Sequence, residues 1–397
     1  MAGIFIEGPR RSAETPRGSA LWALGFRPFY LLASVFSAVS IAIWSAQFAG
    51  WLRASYLAGP LWHAHEMLFG FALAVIVGFL FTAGRNWTGR PTPTGVPLAL
   101  LAALWLTGRV LVATPYSWAA AIVNAAFPIA AAIGLAIPLW AARNRRNYFF
   151  VGLLVLMGLA DLALHLSLLG VLALPPFLGV RIGLDVLLFV MTVMAGRVVP
   201  MFTNNGVPAA GAERRPTLDR IALGTILALT CADVVGLTGT PVALIAAIAA
   251  IAHAARWLFW KPWRTLRVPL VWILHAGYAW IAIHLALRSA AELGWIAASP
   301  ATHALTAGAA GALIIGMMTR TTRGHTARPL QANRFDVAMY LTVVLSAVVR
   351  VAVPLALPGL TIAAIVVSAM LWSAGFALFA IGYAPSLVRP RVDGHPG

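Results

Sequence analysis

The chain has 397 residues, 61% of them hydrophobic and only 10% charged, with a mean hydropathy of +0.88. A soluble domain carries roughly 25% charged residues, and no polar block here is large enough to make one, so the composition excludes a soluble enzyme or binding module. The formal net charge of +17 sits in short clusters between apolar runs, which makes it a topology signal and an attraction to anionic headgroups; no nucleic-acid partner is expected.

Apolar runs of about 18 or more residues can cross a hydrocarbon core ~30 Å thick. They predict an all-α, polytopic transmembrane bundle of about 12 spans. After a tail at 1–20, the spans fall near 21–50 (overlong), 61–82, 96–113, 117–140, 149–170, 180–201, 218–238, 241–260, 268–290, 300–319, 336–356 and 360–384, with a tail from 385 to 397. Residues 21–384 thus read as one membrane domain between two tails. Basic residues mark alternate loops: Arg10, Arg11 and Arg17 before the first span, Arg85 and Arg90 after the second, Arg143, Arg145 and Arg146 after the fourth. The pattern continues with Arg214 and Arg215, then Arg256, Lys261, Arg264 and Arg267, then Arg320, Arg323, Arg328 and Arg334, and finally Arg389 and Arg391. Lysine and arginine favour the cytoplasmic side, so both termini are predicted to be cytoplasmic. The tail leads into an apolar stretch too long for a secretory signal, so the first span is expected to stay uncleaved. The lone Cys231, within the seventh span, excludes a disulfide framework, a thiolate metal site and a covalently attached c-type haem.

Topology assigns a depth to each polar residue, at about 1.5 Å of rise per helical residue. The stretch WHAHEM at 62–67 puts His63, His65 and Glu66 at the outer end of the second span. Asp161 and His165 lie four apart on one face of the fifth span, where the carboxylate can orient the imidazole. Asp185 opens the sixth span from outside, Asp233 lies in the outer part of the seventh, His284 in the outer half of the ninth and His303 at the outer end of the tenth. His275 and His253 belong to inner halves, His325 to an inner loop and His395 to the tail. The carboxylates in or bordering spans are therefore expected to gather at the outer side. Charges in lipid cost at least ~2.5–3.5 kcal/mol each, so they normally face the bundle interior. Histidines converging at one depth are what a haem or copper site inside a bundle requires. His63 and His65 point about 200° apart on a regular helix. They serve one metal only if the helix start is unwound; otherwise they serve two centres, or merely cap the helix end. Met191, Met194, Met317 and Met318 read as packing residues, with copper ligation the alternative.

Five stretches carry more than composition: LGFRPFYLLAS (24–34), LWHAHEMLFGFALAVIVGFLFTAGRNWTGRP (61–91), GRVVPMFTNN (196–205), LHAGYAW (274–280) and HALTAGAAGALIIGMMTRTTRGHTARP (303–329). Together they strongly resemble the NnrS family, multi-span bacterial membrane proteins that contain haem and copper and are linked to nitric oxide metabolism and resistance. The resemblance implies one or two haem b groups, held by some of His63, His65, His275, His303 and His325, with copper as a second metal. His165, His253 and His284 lie outside the matching motifs, so depth alone supports them.

On that resemblance the expected reaction is reduction of two NO to N2O in the inner membrane of a bacterium, with quinol or cytochrome c as electron donor. Glu66, Asp161, Asp185 and Asp233 would relay protons from the outer side. Haem propionates need cations: Arg53, Arg109, Arg181 or Arg288 on the outer side, Arg197, Arg320 or Arg323 on the inner. A haem-based NO sensor or accessory protein and a transporter are the competing classes.

Overall fold

The computed structural model describes residues 19–48, 50–52 and 56–395, and every regular element among them is helical. Twelve long helices follow one another: α1 (Phe26–Phe48), α2 (Gly59–Thr88), α3 (Gly95–Val112), α4 (Ser117–Ala141), α5 (Phe149–Leu168) and α6 (Phe177–Gly206), then α7 (Pro216–Val234), α8 (Thr240–Phe259), α9 (Pro269–Glu292), α10 (Ala298–His325), α11 (Arg334–Ala356) and α12 (Thr361–Val388). Eleven are long and apolar enough to cross a membrane. The exception is α7, where Asp219, Arg220 and Asp233 put three charges into 19 residues. This is a multi-pass, all-helical membrane protein. The first span is shorter than the predicted 21–50 because α1 starts at Phe26, whose N–H donates to Thr82 Oγ1 of α2 at 3.1 Å. Arg10, Arg11, Arg17 and Arg53 lie outside the described residues.

Burial separates inner helices from lipid-facing ones. In their apolar windows α2 is 78% buried and α10 72%, against 33% for α3 and α11. Small residues permit the close approach that lipid does not drive: a Cβ on Gly78 of α2 would stand 2.9 Å from Phe29 Cβ of α1. Helices α2, α6 and α10 meet around an apolar cavity of about 90 Å³ that Tyr30, Val75, Met191, Met194 and Met317 help to line. No histidine reaches it.

The two innermost helices share a local irregularity. In α2 the residues Glu66–Ala72 form a π-helical segment immediately after His65, and in α10 Ala304–Ala310 do so immediately after His303. Such wide turns are rare and concentrate at functional sites. In α2 the Trp105 indole N–H donates to the Gly70 carbonyl at 3.0 Å, from α3.

The first and last helices bring the two ends of the described chain together. The Ala20 N–H donates to the Val388 carbonyl at 2.7 Å, and Arg27 Nη1 to the Leu387 carbonyl at 3.0 Å. The arginine-bearing connections flank this end; the N-termini of α2 and α10, with their histidines, lie at the other. The expected gathering of carboxylates at the histidine end does not hold, for Asp219 and Asp336 sit at the arginine-rich end. Asp336 closes a capping box with Asn333 at the start of α11, and Asp219 accepts from Arg256 Nε at 2.6 Å. Helix capping and ion pairing place them, and hydropathy does not register either.

Candidate functional site

His63 and His65 point to different neighbours. The His63 ring faces His303 of α10, with centroids 6.4 Å apart and planes within 9° of parallel. Trp44 of α1 packs on the other contact of His63, centroid to centroid 4.7 Å. His303 Nδ1–H donates to the Ser299 carbonyl at 2.8 Å, one turn back in its own helix, which fixes the tautomer that leaves Nε2 with a free lone pair. His63 Nδ1 is buried without a hydrogen-bond partner. The charge of Arg350, from α11, acts on both rings.

His63 and His303 would be the residues to hold a haem. Two imidazoles that shared one iron, each bonded at ~2 Å, would have ring centroids about 6 Å apart. The 6.4 Å separation agrees with that span. Arg350, which sequence reasoning did not put forward for this role, would be the cation to meet a propionate there.

His65 turns the opposite way, toward α5. Its Nε2 lies 3.0 Å from Asp161 Oδ1, and His165 Nε2 lies 3.5 Å from the same oxygen. The three donor atoms fall within 4.8 Å of one another, all buried. The far nitrogen of each ring is held: His65 Nδ1–H donates to Glu66 Oε1 at 2.7 Å, and His165 Nδ1 meets Tyr56 Oη at 2.9 Å. Arg109 of α3 donates to Glu66 Oε1 at 2.5 Å and also contacts Asn124 of α4. Gly70 makes room for that guanidinium, since a Cβ there would lie 2.8 Å from Arg109 Nη1. The positive charge of Arg109 therefore offsets Glu66, while Asp161 has only the two histidines beside it in the ion pairs of the described residues.

The remaining expected residues do not join this site. Asp185 and Asp233 form a separate network between α6, α7 and α9: Arg288 donates to Asp233 at 2.6 Å and stands 3.6 Å from Asp185, with Arg181 3.6 Å from Asp233. The four carboxylates expected to form one relay thus divide into two pairs. His275 Nε2 is 2.8 Å from Thr203 Oγ1 of α6, and His325 packs on Phe26 at the arginine-rich end, centroids 5.6 Å apart. Neither makes a ring contact with another histidine among the described residues. Arg197 donates to Asn147 Oδ1 at 2.7 Å, and Arg320 lies over the Phe202 ring at 3.7 Å. His284 Nδ1–H donates to the Ala301 carbonyl at 2.8 Å, and His253 Nδ1 meets the Tyr278 hydroxyl at 2.9 Å.

Tyr56 and Asn124 were missed by sequence reasoning, and no local pattern marks either. Arg109 carried a signal, a lone charge inside an apolar span, but was assigned to a propionate.

Compared with known proteins, the chain matches the family model described as NnrS protein over residues 20–391, from the segment before α1 to the end of α12 and beyond. No curated protein matches it.

Proposed function

The chain belongs to the NnrS family, which is associated with nitric oxide metabolism, and on that premise we propose that it is a haem b oxidoreductase that reduces NO to N2O. The observation that carries this reading is the His63–His303 pair at 6.4 Å. The two rings come from the innermost helices and are each followed within a few residues by a π-helical segment. A haem bound there supplies a one-electron iron couple inside the bilayer. The reaction consumes two NO, two electrons and two protons and yields N2O and water. A membrane quinol or a cytochrome c supplies the electrons.

The polypeptide's own part is positioning and proton supply. Ser299 sets the His303 tautomer, and Arg350 puts a positive charge beside both rings. Glu66 holds a buried carboxylate one residue from His65, with Arg109 offsetting its charge, and it is the group to which we assign protons. Asp219 and Asp336 lie at the far end, paired with Arg256 and Arg323 and away from the histidine pair, whereas Glu66 lies beside it, so we assign proton entry to the histidine end. By the distribution of arginine that end faces away from the cytoplasm of a bacterial inner membrane. Turnover then moves no net charge across the bilayer.

A second reading, an NO-binding or accessory protein without turnover, is favoured by the same pair: two imidazoles held on one iron would leave NO only the place of a displaced histidine, and no room for two NO molecules. Purified protein separates the two. Turnover predicts a b-type spectrum and N2O from NO with a reduced donor; a spectrum perturbed by NO without N2O supports the second reading. His63→Ala and His303→Ala should each lower haem content at least tenfold, and unchanged haem in both overturns the assignment. In vesicles, proton uptake from the arginine-rich side refutes the direction of supply.

A further inference from the structure

We propose that His65, Asp161 and His165 bind one divalent first-row transition-metal ion, at a centre separate from the His63–His303 pair. As a metal site this stands on its own residues; only as a place for NO chemistry does it rest on the preceding reading.

Hydrogen bonding within the protein does not complete this cluster. If His65 Nε2–H donates to Asp161 Oδ1, then Asp161 Oδ2 and His165 Nε2 are still buried with no hydrogen-bond partner. Two such buried atoms in one cluster are costly, because each forgoes water without compensation. A cation bound by the cluster would satisfy both. Metal bonds of ~2.0–2.2 Å place neighbouring ligand atoms roughly 3–3.5 Å apart. The observed separations from Asp161 Oδ1 to the two imidazole nitrogens are 3.0 and 3.5 Å.

The surroundings have the form metal centres use. Each imidazole presents Nε2 inward while its Nδ1 is anchored, one to a carboxylate and one to a phenol; such anchors fix the tautomer and raise ligand basicity. With His65 neutral the charges also call for a cation: Arg109 offsets Glu66, and no lysine or arginine pairs with Asp161 among the described residues. Two imidazoles and one carboxylate, with neither thiolate nor thioether, favour a divalent ion such as Fe²⁺ or Zn²⁺ over Cu⁺, and three protein ligands leave positions open for small molecules. As a ligand Asp161 gives up the proton-carrying role expected of it. Glu66, joined to the centre through His65 Nδ1, keeps that role.

The test uses the full-length protein in detergent, stripped with a chelator, dialysed against Zn²⁺ or Fe²⁺ and assayed for metal and haem in the same samples. Wild type and Asp185→Asn should hold one ion per chain beyond any haem iron. Asp161→Asn and His165→Gln should hold less than a tenth of that, and Zn²⁺ should raise the unfolding temperature of wild type but not of these two. Asp161→Asn preserves volume, and its far-ultraviolet spectrum checks folding. Equal metal in Asp161→Asn, His165→Gln and wild type, or none in wild type, overturns the proposal. Failure of the haem reading looks different: His303→Ala would retain its haem, whatever its metal content.

Discussion

Two aspartates at opposite ends of the bundle, Asp161 and Asp336, are each 1% exposed, yet they are built for different purposes. Around Asp336 every acceptor is used. Tyr383 Oη donates to Oδ1 at 2.6 Å, while Arg323 Nη2 and the Asn333 N–H donate to Oδ2 at 2.6 and 2.9 Å. Around Asp161 one oxygen is shared by two histidines and the other has no partner. A buried charge costs several kcal/mol unless it is paired and hydrogen-bonded. Where the fold itself supplies the pairing, as at Asp336, the residue locks α10, α11 and α12 together. Where the fold stops short, as at Asp161, the deficit marks a seat for something the chain does not encode.

The contrast is sharpest when each carboxylate is removed. Asp336→Ala strands the Arg323 guanidinium and should cost about 3–5 kcal/mol, measured by denaturant or thermal unfolding in detergent. A loss below 1 kcal/mol would mean that the network is not the lock described. Glu66→Gln should leave the haem spectrum intact while slowing NO consumption by about 100-fold, within the range for loss of a positioned proton donor; unimpaired turnover would exclude Glu66. Metal-free Asp161→Asn should change stability by no more than about 1 kcal/mol, because the amide keeps an acceptor for one histidine and removes an unpaired charge. A loss as large as that of Asp336→Ala would make Asp161 a structural residue.

A pH-dependent effect concerns Tyr56, outside the membrane-spanning helices. Burial, and the Asp161 carboxylate beside it, push its phenol up to about 12, from an ordinary value near 10. An acid that keeps its proton more tightly when folded contributes stability that is full below pH ~10 and is lost as the pH rises toward about 12. Tyr56→Phe should flatten that part of the stability profile. An unchanged slope would place Tyr56 away from Asp161.

Much of this was legible before any fold was known. Hydropathy located the helices to within a few residues, and depth put His63, His65, Asp161, His165 and His303 at one end. The two-residue spacing of His63 and His65 already implied divergent directions, and the structure gives each a different neighbour. The partners were not legible. Nothing local joins His63 to His303, which are brought together only because α2 and α10 both run through the centre. Arg350 beside them reads as an ordinary edge charge. Asp219 and Asp336 escaped because their placement follows from capping and pairing, which an apolar-run analysis does not weigh.

By itself, then, the sequence determined a membrane-spanning helical protein, the number of its crossings to within a span and the end at which its histidines lie. Those properties depend on transfer of each segment from water to hydrocarbon, which sums over neighbouring residues. The tertiary structure alone decided which imidazoles face each other, which carboxylates are offset by arginine and which polar atoms are left without a partner. Such properties depend on distances of a few ångströms between groups far apart in the chain, and packing sets those distances.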